Sequence, residues 1–176
     1  MSVLETLGTI ISALRTIVAV VTGHSSRKAE QLQATREAQE LYEQGFTKFQ
    51  RAIYARPPVS LDDPRREDLL WDAIELLRRA TARFPLETGK APSYLALGKC
   101  YERLGLIEDA VEAFSKAIEC DRDLLEAFEE RGLAYYGIGN YRVAKTDFEA
   151  LLKRNPEHTM ARERLNDCIK YLEEQG

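Results

Sequence analysis

Chemistry in this chain would have to come from two histidines, three cysteines and its paired acidic side chains. His24 and His158 stand in expected linkers with no cysteine or carboxylate at triad or ligand spacing, so neither builds a nucleophile-activating triad or a metal site. Cys100, Cys120 and Cys168 are odd in number and lack Cys-x-x-Cys spacing, which argues against a disulfide framework and against zinc. The acidic pair Glu129-Glu130 is adjacent on a predicted helix, and adjacent helical residues do not face one another as a general acid and base would. Asp62-Asp63 reads as a solvated loop rather than a cation site. Gly137-Ile138-Gly139 is a helix-terminating turn without the preceding strand that a phosphate-binding fingerprint requires. The sequence therefore leads to no catalytic residues, no metal and no cofactor.

Charge narrows the partners. The chain has 176 residues, 44% hydrophobic and 31% charged, with a formal net charge of −4. Phosphate binding needs a concentrated basic face, so nucleic acid is not expected as a partner. Arg65-Arg66 and Arg78-Arg79 are read as solvated helix faces.

The elements that must position any binding residues show themselves as a repeat. At a shift of 34 residues, Gly98 matches Gly132, Tyr101 matches Tyr135, Gly105 matches Gly139, Ala110 matches Ala144 and Phe114 matches Phe148. Cys100 and Cys168 lie two periods apart with Ala134 midway, so all three fill one small-residue position, as buried cysteines commonly do. Cysteines used this way fit a reducing compartment. Period and residue types together resemble the tetratricopeptide repeat, a helix-turn-helix unit that stacks into a solenoid. The resemblance implies an all-α, right-handed superhelical array that binds proteins and does no catalysis.

On that frame residues 25-176 divide into a degenerate unit at about 38-88, units at 91-124 and 125-158, and a capping helix at 159-175. The degenerate unit places Leu41, Gly45 and Phe49 on its first helix and Ala73, Leu77, Ala80 and Pro85 on its second. Pro57-Pro58 ends the first helix, because proline lacks a backbone donor and disfavours helix in the residue before it. Roughly 16 extra residues separate the two helices, centred on a loop at 56-66, and the second helix is expected at about Arg66 to Phe84.

In the family the first helices line a concave groove. The resemblance places Tyr42, Phe46 and Phe49 there from the first unit, Leu95, Lys99, Glu102 and Arg103 from the second, and Glu126, Glu129, Leu133 and Tyr136 from the third. Cochaperones of the family clamp a peptide's terminal carboxylate with lysine, asparagine and arginine. The matching residues here are Tyr42, Phe46, Ala96, Glu126 and Glu130, which offer no cation and two repelling carboxylates. The resemblance thus implies a groove for a partner helix or peptide held by apolar contact, and not a clamp for chaperone tails. Tyr42, Phe46 and Phe49 read equally well as core residues of a distorted first unit.

Residues 1-24 are of another kind. Val3, Leu4, Leu7, Ile10, Ile11, Leu14, Val18 and Val21 recur at steps of three and four, the spacing of one apolar helix face. Gly8, Ser12 and Thr16 form a small-residue line that allows close helix packing, and Gly23 is expected to stop the helix. Glu5 is the only charge before Leu7, unlike a secretory signal, and Arg15 interrupts a run too short to span a bilayer. Leu7, Ile10, Ile11, Leu14 and Val18 are therefore expected to form an attachment helix. Its target is the chain's own array, a sister chain in a homo-oligomer through residues 1-22, or a membrane surface touched peripherally by a cytoplasmic protein. In this alternative the molecule is an assembly or membrane-associated structural protein.

Overall fold

The computed structural model describes residues 3-54 and 64-174, with the side chains of residues 3-22, His24 and Pro64 outside the described set. Seven helices follow one another in the described residues: α1 (Val3–Tyr54), α2 (Pro64–Arg83), α3 (Glu87–Arg103), α4 (Ile107–Cys120), α5 (Leu125–Gly137), α6 (Tyr141–Arg154) and α7 (Thr159–Glu174). Each helix packs on the next, and α1, α3, α5 and α7 also touch in succession along one side. This is the expected stack of antiparallel pairs, closed by α7.

The pairs are held by one device repeated three times. The second helix of each pair buries a triplet at the same spacing: Ala73, Leu77 and Ala80 in α2, Ala110, Phe114 and Ala117 in α4, Ala144, Phe148 and Leu151 in α6. The middle residue of each triplet meets a glycine of the first helix. A methyl group added at Gly98 would stand 2.3 Å from the Phe114 ring, one at Gly132 would stand 2.9 Å from Phe148, and one at Gly45 would stand 2.9 Å from Leu77. No real side chain tolerates such approaches, so glycine is what lets the aromatic ring lie against the neighbouring backbone. Cys100, Ala134 and Cys168 are buried at the shared small-residue position, and burial alone pushes the Cys100 thiol up to about 12. A thiol held in that form is a packing residue and not a nucleophile.

The turns inside the second and third units are also duplicates. Gly105 and Gly139 adopt φ of +76° and +77°, a left-handed conformation that costs glycine little. Around them Leu106 N–H donates to the Tyr101 carbonyl and Asn140 N–H to the Tyr135 carbonyl, both at 2.9 Å, while Gly105 and Gly139 donate to Glu102 and Tyr136. These bonds form the Schellman arrangement that satisfies the last carbonyls of a helix.

Three boundaries differ from expectation. The stop expected at Gly23 does not occur, because α1 runs unbroken for 52 residues and carries His24 within a helix and not a linker. One glycine inside a helix costs only about 1 kcal/mol against alanine, which the run of strong helix formers from Arg27 to Gln33 offsets. Of the loop expected at 56-66, residues 56-63 lie outside the described set, and Pro64 to Arg66 form the first turn of α2. Proline suits that position, where its missing N–H would have had no helical partner. In the second unit α3 begins at Glu87, ahead of Ala91, and includes Pro92.

Candidate functional site

Three successive first helices meet around one apolar hollow. A cavity of about 210 Å³ is lined by Tyr42 and Phe46 of α1, Pro92, Leu95, Ala96 and Lys99 of α3, Leu124 just before α5, and Glu126 in its first turn. Tyr42, Phe46 and Phe49 stack along α1, with ring centroids 5.8 and 6.1 Å apart. Phe49 and Leu95 belong to the core, and Tyr42 and Phe46 are half-buried against it. The two readings of these aromatics meet here: one edge of the stack is core and the other forms the wall of the hollow.

Lys99 stands at the rim and is held by two carboxylates, Glu126 at 2.5 Å and Glu130 at 3.1 Å. Burial would lower the lysine's affinity for its proton, but bonds to both carboxylates outweigh it and raise the ammonium's pKa. Glu130 shifts upward as well, which for an acid disfavours charge. Its burial is the largest cause, and Glu102 and Glu126 add like charge while Lys99 pulls the other way. The two directions are compatible because one ammonium is shared between carboxylates. Tyr42 is likewise raised, first by burial and then by Glu126. With Glu102 the rim sets three carboxylates against one ammonium, so the hollow is apolar at its floor and negative at its edge.

The remaining expected groove residues are less concentrated. Arg103 instead lines a separate hollow of about 250 Å³ with Arg66, Glu67, Leu70, Trp71, Leu104 and Leu106, at the start of α2 and the α3–α4 turn. Glu129 reaches His158 Nε2 at 3.4 Å, while the other imidazole nitrogen accepts from Ala161 N–H at 3.3 Å and so caps α7. Leu133 packs into the C-terminal core. Tyr136 meets Tyr141 edge-on at 5.5 Å, and Tyr141 stacks on Tyr171 of α7 at 4.6 Å. Arg164 lies over the Tyr136 ring. Leu7, Ile10, Ile11, Leu14 and Val18 fall on the helical backbone of α1, with their side chains outside the described residues.

Residue matching alone missed Pro92 and Leu124 as walls of the hollow, and it placed Glu130 only as a clamp position. Glu130 lies four residues after Glu126, so helical spacing already puts both on one face. Also unforeseen is a buried ion pair deep in the third unit. Arg131 donates to both Asp147 oxygens, at 2.9 and 2.6 Å, and to Ser115 Oγ at 3.0 Å, which ties α4, α5 and α6 together. Asp147 is 1% exposed. Among the described residues no cluster of three or more His, Cys, Asp or Glu could hold a metal ion, and no helix is long and apolar enough to cross a membrane.

Two family models described as tetratricopeptide repeat match this chain, over residues 91-124 and 129-168. Human peptidyl-prolyl cis-trans isomerase FKBP4 is 28% identical over 83 residues, covering 47% of this chain and 18% of the relative. Serine/threonine-protein phosphatase T of Aspergillus oryzae is 30% identical over 101 residues, covering 57% and 20%. The chain thus spans about a fifth of the length of these curated relatives. Among solved structures, the first TPR of Spaghetti (RPAP3) bound to the HSP90 peptide SRMEEVD superposes with a TM-score of 0.62 at 20% identity, over 78% of this chain and 97% of that one. The Arabidopsis OM64 TPR domain gives 0.59 at 18% identity, over 78% and 98%. These likenesses establish the fold as a TPR solenoid.

Proposed function

We propose, for a chain that belongs to the tetratricopeptide repeat family, that it is a non-catalytic scaffold receiving a partner helix or peptide in the hollow between α1, α3 and α5. The observation that carries this reading is the joint lining by Tyr42, Phe46, Pro92, Leu95, Ala96 and Leu124 of the first two units, with Glu126 of the third at the edge. A site of that make-up anchors an aliphatic or aromatic side chain of a helix laid along the first helices. The RPAP3 domain is bound to a peptide rich in acidic residues, and the hollow here is rimmed by Glu102, Glu126 and Glu130. Carboxylates would repel such a peptide, so a different class of segment is selected.

The test is selection from a displayed random-peptide library on sparsely immobilised full-length chain. Selected peptides should be apolar, should lack terminal acidic runs, and should lose about tenfold or more in affinity for Phe46→Ala. Peptides that bind Phe46→Ala and Tyr42→Ala as well as the parent chain would move the site off this groove.

The length of α1 favours a second reading, in which its N-terminal part is an attachment element. Among the described side chains of the helix, Ser25 to Gln33 are exposed throughout and Ala38 is the first that is buried. On this reading the apolar residues between Val3 and Val21, ahead of that exposed stretch, pack on another chain or rest on a membrane surface.

A further inference from the structure

We infer that the occupant of the groove is the N-terminal helix of a second copy of this chain. The inference rests on the groove reading above. It joins two features that are separately incomplete: an apolar hollow with surplus negative charge, and an apolar helix with one unexplained positive charge.

Arg15 is the only arginine or lysine between Met1 and Ser26. On a helix Ile11 and Val18 lie one turn to either side of it, and Leu14 is adjacent, so an arginine emerges at the margin of an aliphatic strip. In a membrane interior or a fully apolar interface that guanidinium would cost several kcal/mol without a partner. The groove offers the complement: a floor of Tyr42, Phe46, Leu95 and Ala96 beneath two carboxylates, Glu126 and Glu130, that share the Lys99 ammonium, with Glu102 adding a third like charge. Glu102 has no ion-pair partner among the described residues. A strip of Ile11, Leu14 and Val18 laid on the floor brings Arg15 to that rim.

The helix must come from another molecule. α1 is continuous from Val3 to Tyr54, and Arg15 is separated from Tyr42 of its own chain by about 40 Å of helix at 1.5 Å per residue. Folding back would require α1 to break between Gly23 and Ala38. A second copy meets no such obstacle, because Ser25 to Gln33 carry the strip away from the array. Exchange between two copies gives a closed pair, and head-to-tail insertion gives a chain of copies.

The experiment is sedimentation of the full-length chain with charge exchange across the contact. The parent chain should self-associate, as a pair or as a longer series. Arg15→Glu and Glu126→Lys should each weaken association by about tenfold or more, and the two together should restore most of it, as a direct pair requires. The melting temperature of each variant checks that the array is intact, since Glu126 is half exposed. A chain that stays monomeric to about 100 μM, or that associates equally well with both single substitutions, overturns the inference. So does a monomer that instead co-sediments with vesicles of phosphatidylcholine and phosphatidylglycerol. Library peptides that are lost with Phe46→Ala, found alongside a monomeric parent chain, would leave the groove reading standing and remove only this occupant.

Discussion

At the scale of single residues, the molecule is organised by three glycine-to-ring or glycine-to-aliphatic contacts. Gly98 has the tightest, at 2.3 Å from a hypothetical methyl to Phe114. Gly98→Ala should lower stability by about 1 to 3 kcal/mol through overpacking, and Phe114→Leu in the same chain should return part of it. In the first unit, where Leu77 faces Gly45, the same added methyl would stand 2.9 Å away instead of 2.3 Å. Thermal melts of the single and double variants provide the check, and an unchanged melting temperature for Gly98→Ala would contradict the packing described. Glu130 is sensitive to pH for another reason. Burial raises its carboxyl from the ordinary value of 4.5, so the proton is held more tightly folded than unfolded. Its contribution is full below the unfolded value and is lost as pH rises through the folded one. Glu130→Gln, which imitates the protonated side chain, should therefore be more stable than the parent chain at about pH 7 and should lose that advantage near pH 4. Denaturant titrations at the two pH values read this directly. The glycines and their partners were legible in the sequence because a period displays matched residues side by side. The Glu130 shift was not, since it depends on how deeply α5 sets that side chain against α3.

Between elements, the ion pair of Arg131 and Asp147 does what the repeat pattern does not. It spans α5 and α6 and reaches Ser115 on α4, so it fixes how the third unit sits on the second. Removing one partner leaves a buried charge without compensation, and Arg131→Met should cost about 3 to 5 kcal/mol. Arg131→Met with Asp147→Leu should cost less than the sum of the two single changes. Equal and additive losses in urea unfolding would show that the two side chains act independently. No period announces this pair, because neither residue is repeated in the second unit, where Cys100 and Glu102 flank Tyr101 and the register offers Leu97 and Ala113 at the equivalent places. The helix ends at Arg103, Gly137 and Arg154 lie beside Gly105, Gly139 and Asn155-Pro156, whereas α3 starts at Glu87, ahead of Ala91, and runs through Pro92. Gly23 marks no boundary at all: a single glycine does not by itself break a helix that strong helix formers continue from Arg27 to Gln33, and only the continuous α1 made this visible.

For the whole molecule, the fold follows from the repeat, and the function turns on how α1 is used. Its C-terminal half is the first helix of the array, while its backbone continues as helix toward Val3 through a stretch, Ser25 to Gln33, that is exposed throughout. Leu7→Glu with Leu14→Glu should leave the melting transition of the repeats nearly unchanged and abolish attachment, read as a fall in mass by light scattering or a shift from membrane to cytosol. The groove itself could be placed only by family resemblance, since no spacing in the sequence says which face of α3 turns toward α1 and α5. The structure brings Tyr42, Phe46, Leu95, Lys99 and Glu126 to one hollow, whereas Arg103 lies on another and Tyr136 is engaged with Tyr141 and Tyr171. Tyr136→Ala should accordingly loosen α7, and Phe46→Ala should weaken ligand. The most direct measurement of the central proposal is backbone amide NMR of the full-length chain titrated with a library-selected peptide. Shifts confined to residues 42-49 of α1, 92-99 of α3 and 124-130 are the predicted result, and shifts gathered on α2, α4 and α6 instead would contradict it.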